Sequence, residues 1–431
     1  MARDNKRMSH DRPISCYDQS GRRPPVFFVG RFIKAFFKKT RKELKRINSK
    51  AASKHFAIRK FESDHTPGEM DIHKVEKYYY QGKALAYISD LTLEKQTTAQ
   101  HIHRVFYKTM QLANQEKPEH RQQLFNEMMK AYAASEVPEL ASRGMEHGHD
   151  VSLAAASSFR ALLTHRLRKQ QIFGDLPEWF ADDKHFSQKL AANLNLSVPE
   201  FTGRHYSAAE LPLNVQSAVK PVNGAGGRGV YLIHSEDRIE DLKRGEMIAS
   251  FAELRTRMNT DLEQGHVHMD LWKAEALYYF DARQEEAARD LKFYCFYGKA
   301  GLVLEVKRSG VTSYCWWSRE GESVQTGKYE NKLFKGNGFS ESDLIAAEEM
   351  SAAVPTPFCR VDFLKTESGL IFGEMTPKPG NYEQFDRETD QRLGEMFLEA
   401  EERLYRDSYQ RGKSFSSYEE TLRNRSVNDI D

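Results

Sequence analysis

Apolar and polar positions alternate with two different periods along this chain, and the change of period divides it. From residue 26 to 180 the spacing is that of helices. Stretches such as 97–132 are rich in Gln, Lys, Glu, Leu, Met and Ala and poor in Gly and Pro, which favours long helices. The texture changes at 176–183. A short helix is predicted over 185–194, and strand-like runs follow at 217–222, 230–234, 293–297, 302–306, 358–364 and 370–375, several joined by Gly-containing turns. Residues 411–431 are polar and Ser-rich and read as a loose tail. The expected fold class is α+β, with a mainly helical region (26–180) ahead of an α+β domain (183–410).

Composition narrows the class. With 431 residues and 39% hydrophobic residues, the chain can bury a sizeable core. No apolar run approaches the roughly 18 residues of a membrane span. No secretory leader is read either: residues 1–25 are polar and charged, and are expected to be disordered. Cys16, Cys295, Cys315 and Cys359 have neither zinc-finger nor redox-pair spacing, so a reducing cytoplasm is the expected location. The pairs His101/His103 and His147/His149 lack further ligands at useful spacing and read as solvated histidines.

Charge adds a partner. The net charge is +2, but residues 1–60 hold 18 Lys+Arg against 4 Asp+Glu, or +14, which leaves −12 on the rest. Within 26–46, Phe28, Phe32, Ile33, Phe36 and Phe37 fall at helical spacing among Arg31, Lys34, Lys38 and Lys39. This pattern suits an amphipathic helix, either lying on an anionic membrane surface or docked on its own protein. No DNA- or RNA-binding motif accompanies it, and no nucleic-acid partner is expected.

Two local patterns carry chemistry. In 217–233, SAVKPVNGAGGRGVYLI, Gly224, Gly226, Gly227 and Gly229 stand within six residues, preceded by Lys220. Such a loop lets backbone N–H groups approach phosphate oxygens. Gly224-x-Gly226-x-x-Gly229 matches the dinucleotide fingerprint in letters only, because a β-prone run follows where a helix is required. The absence of Gly-Lys-Ser/Thr excludes a Walker A loop. Two readings remain, a hairpin lid over a triphosphate and an ordinary Gly-rich turn. In 358–380, FCRVDFLKTESGLIFGEMTPKPG, a strand–turn–strand is predicted. A five-residue loop over 365–369 would pair Leu364 with Leu370 and Arg360 with Glu374, placing Asp362 on their face. Those carboxylates would hold Mg²⁺, or Glu374 and Arg360 would form a solvent-facing salt bridge.

In order, these pieces resemble the ATP-grasp superfamily, and its TupA-like branch in particular, over about 183–398. Asp183–Lys184 with the helix after it is similar to the family's opening segment, and Val219–Lys220–Pro221 with the glycines to its phosphate loop. Asp290–Leu291–Lys292 and the hairpin ending at Arg308 resemble the branch's Asp-Tyr-Lys hairpin. Cys359–Phe363 and Phe372–Thr376 resemble its Arg-Val-Asp and Phe-Gly-Glu-x-Thr strands, with Thr376 where many ATP-grasp ligases carry Asn. The resemblance implies an ATP-grasp fold, ATP and Mg²⁺ as cofactors, and a carboxylate-activating ligase in surface-polysaccharide or peptide-polymer synthesis. Its substrate would be a small molecule or glycan-linked. Lys184, Lys220, Lys292 and Gly224–Gly229 would bind ATP, with Glu275 on the adenine-binding strand. Asp362 and Glu374 would hold the metal, and Arg360 and Arg308 would stabilise developing negative charge. A phosphotransferase on the same fold and a nucleotide-binding scaffold without turnover are the alternatives.

Overall fold

The computed structural model describes residues 72–113, 116–146, 152–199, 204–224 and 226–428. The leader expected over 1–25 and the basic helix expected over 26–46 lie outside the described residues, as do His147 and His149. The chain divides into two compact units, Met1–Ile102 and His103–Asp431.

In the first unit lie α1 (Ile72–Tyr80) and the start of α2 (Ala84–Ala113). At the end of α1 the Lys83 N–H donates back to the Tyr78 carbonyl at 2.9 Å, around Gly82 at positive φ. In the second unit, α3 (Pro118–Met129) opens on the proline its first turn tolerates. It shares a core of Met110, Phe125, Met128, Met129, Tyr132 and Ala141 with α4 (Glu139–Glu146) and the end of α2. The expectation of a mainly helical region holds for the described part of 26–180.

Next come α5 (Phe159–Phe173), α6 (Pro177–Asp182) and α7 (Lys184–Asn193). Ser158 caps α5, its Oγ accepting from the Ala161 N–H at 3.2 Å. Asp183 caps α7 in the same way, accepting from the Phe186 N–H at 2.8 Å. The helix expected at 185–194 therefore begins on Lys184.

Among the described residues, ten strands form two antiparallel sheets of order β4-β3-β2-β1-β5 and β10-β9-β6-β7-β8. The smaller strands are β1 (Ser217–Pro221), β2 (Tyr231–Ser235), β3 (Arg238–Asp241), β4 (Glu246–Ile248) and β5 (Trp272–Ala276). The second sheet holds β6 (Arg289–Cys295), β7 (Ala300–Lys307), β8 (Ser313–Trp317), β9 (Cys359–Thr366) and β10 (Gly369–Thr376). It is buried on both faces. Leu291, Phe293, Val303, Val361 and Phe363 pack with Phe186, Leu190 and Met350 on one side. Tyr294, Leu302 and Leu304 pack with Phe159, Leu163, Phe385 and Phe397 on the other. The remaining helices are α8 (Phe251–Glu263), α9 (Glu341–Ala352), α10 (Arg387–Tyr405) and α11 (Ser416–Asn428).

Two expectations are corrected. The loose tail over 411–431 instead carries α11. Tyr418 and Leu422, one turn apart, reach the core beside Phe186, and Asn193 donates to Thr421 Oγ1 at 3.2 Å. One apolar seam in a polar segment is enough to dock it. The β9–β10 hairpin also has a different register. Its loop is two residues long: Thr366 pairs with Gly369, Leu370 with Lys365 and Ile371 with Leu364. No helix among the described residues is long and apolar enough to cross a membrane.

Candidate active site

Residues of both sheets line a cleft of about 460 Å³, including Lys184, Lys220, Gly224, Gly226, Gly227, Glu275, Lys292, Arg308, Asp362 and Glu374. Of the expected site residues, Gly229 and Arg360 stand outside this lining. A Cβ at Gly229 would sit 2.6 Å from Val267 Cγ2 and 3.3 Å from the Trp272 ring, so this glycine serves the packing of the small sheet. Gly226 and Gly227 differ from it. Both hold positive φ, and a Cβ at Gly226 would meet nothing within 4 Å. That bare, open backbone is what a phosphate-cradling loop requires.

Opposite the loop, one carboxylate organises the cations. Glu275 is 6% exposed. It accepts from Lys220 at 2.6 Å, and its other oxygen lies 2.6 Å from Lys273 Nζ and 3.6 Å from Lys184 Nζ. Burial pushes the Glu275 carboxyl up, but Lys220, Lys184 and Lys273 outweigh it and hold the group well below the usual carboxylate range. Burial likewise brings the Lys184 ammonium down, with Glu275 opposing. Glu275 sits on β5, within the segment expected to bind adenine, and its visible work there is to fix lysines in the cleft. Lys273 escaped the sequence reading, although it shares a face with Glu275 two residues along a strand.

The metal-binding expectation turns on the bulge in β10. After Phe372 pairs with Phe363 the register slips by one at Gly373, so Glu374 lies opposite Asp362 and Thr376 opposite Arg360. The expected Arg360–Glu374 pairing is therefore wrong, yet both carboxylates still share a face. A two-residue loop without the bulge would turn Glu374 into the core beside Val361. A Cβ at Gly373 would stand 3.1 Å from the Asp362 carbonyl, so glycine suits this close approach.

Asp362 is buried. It takes a two-pronged contact from Arg360, Nε to Oδ1 at 2.6 Å and Nη2 to Oδ2 at 2.7 Å, and a short contact from Lys292 Nζ. Burial raises its carboxyl; Arg360 and Lys292 reverse this and hold it below its ordinary value. Arg360 also donates to Thr376 Oγ1 at 3.0 Å. It braces the cleft from behind Asp362. Arg308 pairs with Asp290, a further carboxylate in the lining. Glu374 is exposed and makes no hydrogen bond or ion pair among the described residues. Its free carboxylate, facing Asp362, offers hard oxygen donors of the kind Mg²⁺ takes. No group of three or more His, Cys, Asp or Glu residues suited to a metal occurs among the described residues, so phosphate and water oxygens would complete the shell.

In solved structures the chain is similar to D-alanine–D-alanine ligase from Bacillus anthracis, with 13% identity and TM-score 0.31 over 53% of this chain and 70% of that one. It is similar to D-cycloserine synthetase DcsG, with 16% identity and TM-score 0.31 over 52% and 71%. A third is ATP-grasp ligase PsnB complexed with its minimal precursor, with 11% identity and TM-score 0.29 over 52% and 61%. No curated protein matches the chain in sequence. The family model described as TupA-like ATPgrasp matches residues 161–398. That match spans more than half of the chain, and the protein belongs to the TupA-like family of ATP-grasp enzymes.

Proposed function

We propose that this protein is an ATP-dependent ligase that joins a carboxylate to an amine through an acyl phosphate, with a small-molecule or glycan-linked substrate of a cell-surface polymer. The observation that carries the reading is one cleft in which an open glycine loop, lysines fixed by Glu275 and the Asp362/Glu374 face meet. The carboxylate would take the γ-phosphoryl group of ATP, releasing ADP. The amine would then attack the acyl carbon, releasing phosphate and leaving an amide.

Each residue has a part. Lys184, Lys220 and Lys292 neutralise phosphate oxygens as point charges. The loop around Gly226 and Gly227 covers the phosphates and keeps water from the acyl phosphate. Asp362 and Glu374 would hold Mg²⁺, which when bound offsets charge on the phosphate oxygens. Arg308, in the cleft lining, presents a cation toward the reacting carboxylate, and Arg360 acts from behind Asp362, holding that carboxylate in place. A preorganised donor of this kind lowers the barrier by roughly 3 kcal/mol.

Hydroxylamine trapping tests the reading. The protein with ATP, Mg²⁺ and a panel of small and glycan-linked carboxylates should form a hydroxamate with stoichiometric ADP and phosphate. A phosphoester formed without free phosphate would instead establish a phosphotransferase.

A further inference from the structure

The loop after β8 carries a buried cation, covered by the loop after β10, to which the reading above gives no part. That cation is Lys328, 1% exposed. Its Nζ donates to the Gly380 carbonyl at 2.7 Å and stands 4.9 Å from the Phe385 ring, 5.0 Å from Tyr329 and 5.9 Å from Trp316. All of these contacts are neutral. The charged groups acting on it are Arg360, of like sign, and Glu383. Burial and Arg360 bring its ammonium down to about 7. Buried cations ordinarily face an anion, because an uncompensated one costs several kcal/mol.

A second group in the cluster also lacks its partner. Tyr294 is fully buried, its ring 5.7 Å from Trp316 and 5.8 Å from Phe385. Its hydroxyl meets no acceptor for its proton among the described residues, while Arg360 lies close enough to act on its oxygen as a charge and as a donor. Left-handed backbone shapes the loops at Lys328. Tyr329 and Asn381 hold φ of 64° and 54°, and Asn381 donates to the Tyr329 hydroxyl at 3.4 Å. Gly327 abuts Asp386 so closely that a Cβ would stand 2.8 Å from its nitrogen. An open groove of about 610 Å³, lined by Tyr314, Gly327, Tyr329 and Gln384 among others, runs along the same two loops.

We propose that Lys328, Tyr294 and Arg360 form the seat of a substrate oxyanion, reached from the groove over Gly327 and Gln384. An oxyanion accepts from the ammonium and the phenol at once, supplying both missing partners. Arg360, which also braces Asp362, links this seat to the ATP cleft. The occupant is an anionic substrate of the ligase proposed above, and in that respect the inference rests on that reading. Two sources share the chemistry: the carboxylate to be activated and a phosphate group on the acceptor.

The test follows Lys328 by NMR of the full-length protein labelled with ¹³Cε-lysine, with a non-hydrolysable ATP analogue saturating the cleft. Loss of one signal in Lys328→Met assigns the resonance. Addition of 50 mM acetate or 50 mM inorganic phosphate should move its titration midpoint up by about one pH unit, equivalent to tenfold tighter anion binding to the charged amine. The larger shift identifies the source as carboxylate or phosphate. Tyr294→Phe removes a hydroxyl whose proton has no acceptor among the described residues, so it should fold normally and weaken the anion-induced shift at least threefold. A midpoint unmoved by both anions overturns the proposal, as does an undiminished shift in Tyr294→Phe. If the analogue fails to bind, the ligase reading falls, while the anion titration is read on the free protein.

Discussion

Replacing Glu275 by glutamine should separate the framework of the cleft from its chemistry. The substitution keeps shape and removes one negative charge from among three ammonium groups at 2.6, 2.6 and 3.6 Å. Removing one member of a buried ion pair costs about 3–5 kcal/mol, because the other charges stay buried and unpaired. The lysine side chains remain 14–37% exposed, and water screens part of the loss, which sets the expectation at about 3 kcal/mol. At about 2–4 °C per kcal/mol, the value for domains of about 150–250 residues, thermal unfolding at pH 7 should occur roughly 6–12 °C lower. The sign with pH follows from the depressed carboxyl. Its stabilisation is complete above the unfolded value of about 4.3 and is lost as pH falls below it. The gap between wild type and variant should therefore be constant from pH 6 to 8 and narrow below about 4. Adding Lys273→Met, which removes one of the stranded charges, should recover part of the loss. A Tm within about 2 °C of wild type at pH 7 would refute the view that Glu275 holds the lysines together.

Glu374→Gln should abolish ATP turnover with an unchanged Tm, since the carboxylate has no hydrogen bond or ion pair among the described residues, whereas Asp362→Asn should lose both turnover and about 3 kcal/mol by stranding Arg360 and Lys292; equal Tm losses would contradict the division of roles. Gly226→Val and Gly227→Val should weaken ATP binding at least tenfold by calorimetry with little change in Tm, while Gly229→Val should lower the Tm through collision with Val267 and Trp272; wild-type affinity in the first two would reduce the loop to a turn. The basic segment 26–46 should bind anionic liposomes in a salt-sensitive way, at about 1 kcal/mol per nearby Lys or Arg, and Phe32→Asp with Phe36→Asp should abolish sedimentation with the vesicles; persistence at high salt would argue against this attraction.

The central sheet was legible because β6, β7, β9 and β10 are apolar runs bounded by turn residues. Its edge strand β8 lay outside the expected runs, and so did the short β3 and β4. Their burial comes from the neighbouring strands and α8, and a three- or four-residue run carries little periodicity of its own. Lys328 was illegible for a related reason. A lone lysine in a loop reads as solvated until Trp316, Tyr329 and Phe385 are brought around it from distant parts of the chain. The bulge did leave a trace. Phe372 and Met375 both face the core, although an odd spacing should put them on opposite faces, and the only glycine between them marks where the ladder slips. Taking the strand as regular led to a five-residue loop that preserved the shared face but misplaced the pairing.

That slip at Gly373 bears on which changes of length the hairpin can survive. Deleting this one residue would remove the extra position and make the ladder regular: Glu374 would follow Phe372 directly, still opposite Asp362, and Met375 would still face the core. Closing the bulge without shortening the strand is what the site could not survive, because Glu374 would then fall opposite Val361, in the apolar interior, and Met375 opposite Arg360. The extra residue and the irregularity that absorbs it are therefore one unit, which can be lost together but not one without the other.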